Sequence, residues 1–123
     1  MHMKDWDGYR KQVATGVGAI ARLSPDTVKG YGQLSSANAK TTHFDAKIRE
    51  LIALAVAISL RCDGCIAVHT AEARKAGATE GEIAEALGVA ISVNAGAALV
   101  YATRTLDAFQ ALGEQTPAQS STG

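Results

Sequence analysis

An all-α fold is predicted by three features of this 123-residue chain. Apolar residues recur at intervals of three and four, no stretch sustains a period-two alternation, and alanine supplies much of the 47% apolar fraction. Small side chains in such numbers predict helices packed closely on one another, not a core of large rings. Aromatic residues make up only 5%.

The elements follow in order. Trp6, Tyr9, Val13, Val17, Ile20 and Leu23 make one apolar stripe and predict a first helix. Ser24 followed by Pro25 predicts a new start, with a hydroxyl to cap free amides and proline at the first helical position. The second helix carries Val28, Tyr31 and Leu34 but is weakened by Gly30 and Gly32. Residues 41–44 read as a connection, and Asp45 as the cap of a third helix over 46–60. That helix bears charge only at Lys47, Arg49 and Glu50, so residues 51–60 are expected to be buried on all sides. A fourth helix is predicted over 62–76, with Gly77 as a left-handed stop. Thr79 and Glu82 then fit a capping box. Two further helices are predicted, 80–92 and 95–112, with a break near Asn94. The tail, 113–123, is rich in Ser, Thr, Gln and Pro and is expected to be disordered. The expectation is one domain over 1–112 built from about six helices.

Bulk properties exclude several functions. Lys plus Arg and Asp plus Glu both number 12, so there is no basic footprint for nucleic acid. Scarce aromatics argue against base stacking. Residues 86–103 carry no formal charge and reach the lower length limit for a membrane span. Gly88, Ser92, Asn94 and Gly96 within them favour buried soluble helices, so no membrane partner is expected. Residues 1–10 are polar, with no apolar stretch of the kind an export signal needs, and a cytoplasmic location is expected.

The chemistry is concentrated in one group. Cys62 and Cys65 are the only two cysteines, His69 follows four residues later, and Glu50 precedes them by twelve. On a helix Cys62, Cys65 and His69 share a face, and α-carbons three apart lie about 5–5.5 Å from each other, within disulfide range. A helix start also favours thiolate, the reactive form of a cysteine. Glu50, on the preceding helix, faces this group if the chain turns near Arg61. Such a carboxylate needs a partner when buried, and proton exchange with a cysteine through His69 supplies one. Competing readings are two small core residues and a zinc site of Cys62, Cys65, His69 and Glu50 or water. Haem attachment needs histidine directly after the second cysteine, where Ile66 stands. His2 and His43 read as surface residues, and Asp63 and Glu72 as solvated charges acting on helix ends.

Glu50, eleven intervening residues, and Cys62-Asp-Gly-Cys65-Ile-Ala-Val-His69 resemble the active-site signature of the alkyl hydroperoxidase D-like branch of the carboxymuconolactone decarboxylase family. Lys47-Ile-Arg-Glu-Leu before the site and Ala73-Arg-Lys-Ala-Gly77-Ala-Thr after it agree, so the likeness covers about residues 45–109. The resemblance implies an all-helical peroxidase or disulfide oxidoreductase with no cofactor and no metal. It implies that Cys65 reacts with a hydroperoxide substrate, that Cys62 resolves it, and that Glu50 and His69 handle protons. It further implies a thiol or lipoyl-protein reductant and a homo-oligomer, a hexamer in preference to a trimer. Gly64 departs from those members with histidine between the cysteines. A lactone decarboxylase-like lyase and a non-catalytic stress or assembly module are the alternatives.

Overall fold

In the computed structural model the regular elements are all helical, and among the described residues there is no strand. Backbone is described for residues 1–122 and side chains as far as Glu114. The helices are α1 (Trp6–Leu23), α2 (Pro25–Ala37), α3 (Ala46–Ser59), α4 (Asp63–Lys75) and α5 (Glu80–Thr122), with a 3-10 turn at Asn38–Lys40. The chain divides into two compact units, Met1–Ala90 and Ile91–Gly123.

In the first unit α3 and α4 form a hairpin, α1 packs on α4, and α2 packs on α1. The buried core consists of Leu54 and Ala57 from α3, Ala67 and Ala73 from α4, and Ala90 from α5. Four of these five are alanines, which lets helix backbones approach closely but buries little apolar area. At about 0.8 kcal/mol per buried methylene-sized group, such a core stabilises a lone chain weakly.

Several expectations about helix ends hold. Asp45 caps α3 by accepting the Ile48 N–H at 2.9 Å. Thr79 and Glu82 bond each other's backbone amides, at 3.1 and 3.0 Å. Gly77 has φ +86° and ends α4 with two backbone bonds: its own N–H to Arg74 O, and Ala78 N–H to Ala73 O. Ser24 departs from expectation. Its hydroxyl bonds the Thr27 hydroxyl at 2.7 Å and caps no amide, although Pro25 does open α2.

Three further corrections concern helix extent and burial. The two helices expected at 80–92 and 95–112 are one, α5, with no break at Asn94. Glycine and asparagine lower helix propensity by at most about 1 kcal/mol each, but none removes a backbone hydrogen bond as proline does. Long alanine, leucine and valine runs on either side outweigh them. Second, α4 begins at Asp63, with Cys62 as its cap. Third, residues 51–60 are not buried on all sides. Ile48, Ile52, Val56 and Leu60, spaced by four, form a stripe 40–71% exposed along α3. The disordered tail expected at 113–123 lies, after Glu114, outside the residues whose side chains are described.

In the second unit α5 becomes amphipathic from Tyr101 onward; before that, Val93 and Val100 are exposed on the otherwise polar half. At 100° per residue Leu99, Tyr101, Leu106, Phe109 and Leu112 share one half of the helix. Thr103, Arg104, Asp107, Gln110 and Glu114 occupy the other half, and every one of these side chains is exposed. By length and composition alone, Glu80–Glu114 is long and apolar enough to cross a membrane.

Candidate active site

The site is built at the α3–α4 junction. Arg61 N–H bonds Ile58 O and Cys62 N–H bonds Ala57 O, the paired bonds of a helix stop whose outer residue is left-handed. Arg61 is that residue, with φ +54°. The stop of α3 delivers Cys62 directly to the start of α4. There Cys62 is extended, and its Sγ accepts the Cys65 N–H at 3.2 Å. Sulfur therefore stands where serine or aspartate usually caps a helix.

Cys62 and Cys65 are joined by a disulfide, with α-carbons 5.2 Å apart. When that bond is reduced, the amide that bonds Cys62 Sγ and the positive end of α4 both favour a thiolate over a thiol. The carboxylate of Glu50, from α3, meets His69 of α4: Glu50 Oε2 and His69 Nδ1 are 2.7 Å apart. Both side chains are mostly covered, 23% and 33% exposed. With Glu50 ionised, Nδ1–H donates to the carboxylate, which leaves Nε2 as the ring's proton acceptor. Cys65 and His69 line one open depression of ≈ 260 Å³ with Ala53, Val56, Ala57 and Leu60. Apart from the sulfur and the imidazole its walls are aliphatic.

All four residues singled out by their spacing, Glu50, Cys62, Cys65 and His69, are thus brought together. Among the described residues no group of three or more His, Cys, Asp or Glu is arranged to hold a metal ion. His2 and His43 are exposed, as expected. The aliphatic wall was missed as part of the site; Val56 and Leu60, at spacing four, were the available signal.

Also missed was the contribution of the N-terminal region. Lys4 Nζ lies 3.0 Å from Asp63 Oδ2, between the cysteines in sequence. The Arg10 guanidinium donates to Ala67 O at 3.1 Å and pairs with Asp7 at 2.9 Å. A Cβ added at Gly64 would lie 3.6 and 3.9 Å from the two methyls of Val13. A methyl fits there in ordinary contact with α1.

Comparison with known proteins gives the family and the fold. Residues 25–108 match the model of the carboxymuconolactone decarboxylase family. An uncharacterized protein of Haemophilus influenzae is 46% identical over 105 residues, covering 85% of this chain and 93% of that protein. One from Cupriavidus necator is 32% identical over 95 residues, 77% and 84% of the two chains. Among solved structures, a carboxymuconolactone decarboxylase family protein from Legionella pneumophila superimposes with TM-score 0.69 at 33% identity, covering 85% of this chain and 94% of that one. A protein from Methanobacterium thermoautotrophicum gives TM-score 0.65 at 31% identity, covering 70% and 97%.

Proposed function

Because this chain belongs to the carboxymuconolactone decarboxylase family, whose fold is enzyme-like, we propose that it is a thiol-dependent peroxidase or disulfide oxidoreductase working through Cys62 and Cys65. The observation that carries this reading is the Glu50–His69 pair at 2.7 Å beside a cysteine pair already joined as a disulfide. A lactone-decarboxylating lyase would have no need of a dithiol.

Cys65 gives its thiol proton to His69 Nε2, its sulfur attacks one oxygen of a hydroperoxide, the O–O bond breaks, and the alcohol leaves with that proton. Cys65 is then a sulfenic acid. Cys62 gives up its thiol proton as it attacks that sulfur, the S–O bond breaks, hydroxide takes that proton and leaves as water, and the disulfide forms. An external dithiol, free or carried as a lipoyl group on a protein, supplies two electrons and two protons to reopen it. Glu50 holds the imidazole in the tautomer that exchanges protons at Nε2. The family resemblance assigns the attacking role to Cys65, and its position beside His69 in the depression supports that order.

We also propose a homo-oligomer, with a hexamer favoured over a trimer, in the cytoplasm. Its support is the exposed stripe of α3, the apolar half of α5 and the alanine core. Arg104 and Asp107 on α5 favour a protein partner over lipid for that helix.

The test is a peroxide-reduction assay with reduced lipoamide and other small dithiols as donors, on the wild type and on Cys65→Ser. Turnover is expected in the wild type and absent in the variant. Equal peroxide consumption by both would refute the assignment.

A further inference from the structure

We propose that Lys4 is a positioning residue for the dithiol, neutralising Asp63 so that the reduced cysteines ionise and exchange more readily. The inference rests on the redox reading of Cys62 and Cys65. It concerns a part of the chain that precedes the 25–108 region matched to the family.

Asp63 is the first residue of α4, immediately after the Cys62 cap and two before Cys65. A carboxylate there suits the helix end but opposes a second negative charge on either sulfur. Lys4 answers that charge at 3.0 Å. Its ammonium is held in turn by the rings of Tyr9, 4.2 Å to the centroid, and Trp6, 5.9 Å. Those rings open α1, which is fixed to α4 by the Arg10 bond to Ala67 O and by Val13 against Gly64. The cation is therefore held by the start of α1 as well as by Asp63, in a pair whose side chains stay 36% and 52% exposed. The other charged groups around the turn are Glu50 on α3, His69 on α4, Arg61 just before Cys62, and Asp7 and Arg10 of α1. Glu50 and His69 are paired with each other, and Arg10 with Asp7. Lys4 is the cation paired to the Asp63 carboxylate.

The experiment follows the ultraviolet absorbance of thiolate in the reduced protein against pH, and the equilibrium of the disulfide with glutathione at neutral pH. Lys4→Gln is expected to raise the midpoint of thiolate formation by roughly half a pH unit and to shift the glutathione equilibrium about two- to threefold toward disulfide. Lys4→Arg should keep the wild-type values. In an Asp63→Asn background Lys4→Gln should move both readings less, because the ammonium has then lost the carboxylate that holds it at the start of α4. Melting curves by circular dichroism confirm that each variant is folded. Unchanged titration and equilibrium in folded Lys4→Gln would overturn the proposal, as would a shift of the same size without Asp63 or in Lys4→Arg. If the wild type itself does not exchange with glutathione, the redox reading fails as well. If wild type and Lys4→Gln exchange alike, only the role of Lys4 fails.

Discussion

Cys62 does three things at once. It receives the chain from the end of α3, caps α4 through its sulfur, and closes the disulfide with Cys65. Its spacing to Cys65 and His69 was readable because helical geometry alone puts three such residues on one face. That it is a cap was not readable, since cysteine is not a usual capping residue and the turn depends on Arg61. A left-handed glycine is a visible signal, as Gly77 shows. A left-handed arginine is not, because nothing local favours it. Holding an L-residue there costs about 1–2 kcal/mol, against a lesser entropic cost for glycine. Arg61→Gly should therefore raise the stability of the folded protein by up to about 1 kcal/mol in urea unfolding, and a loss of stability would show that the guanidinium has a structural role. For the proton path, Glu50→Gln should leave the helical spectrum intact and slow peroxide-dependent disulfide formation about a hundredfold, measured by rapid-mixing kinetics. A rate within twofold of wild type would remove Glu50 from the relay.

At the level of elements, helix starts were easier to read than helix ends or breaks. Asp45, Pro25 and the Thr79–Glu82 box carry their own hydrogen-bonding logic, so the starts of α2, α3 and α5 were visible. The break expected at Asn94 failed because poor helix formers within a strong apolar run do not stop a helix. How α3 meets α5 depends partly on a contact between distant residues: Lys47 Nζ and Glu82 Oε2 are 2.8 Å apart. The Lys47 ammonium, then the Thr79 backbone amide, holds the Glu82 carboxyl below its usual range, while Glu82 raises Lys47 above the usual lysine range. A lowered carboxyl contributes stability at neutral pH that is lost as pH falls through its folded value. A raised lysine loses its contribution as pH rises through its own folded value. The melting temperature of wild type should thus exceed that of Lys47→Met around neutral pH, by a small margin for so exposed a pair. The margin should close in acid below the carboxylate range and again in strong alkali. A margin independent of pH would mean that Lys47 acts through packing.

For the whole molecule, the exposed faces decide the account. The absence of charge over 51–60 predicts burial on all sides, and a burial pattern reports contact with anything apolar, a second copy included. Ile52, Val56 and Leu60 are open in the single chain, and so is the apolar half of α5. Patches of this kind rarely stay uncovered in a soluble protein. Phe109→Glu should accordingly reduce the mass found by light scattering after gel filtration, and an unchanged mass would show that α5 is not part of a subunit interface. Val56→Glu bears on both levels, because Val56 also lines the depression beside Cys65 and His69.

The most direct test is the intact mass of fully reduced protein after one equivalent of an alkyl hydroperoxide. Conversion to a species lighter by two hydrogens, with Cys62 and Cys65 linked in the peptide map, is the result expected here. Thiols that remain reduced under that treatment would contradict the account.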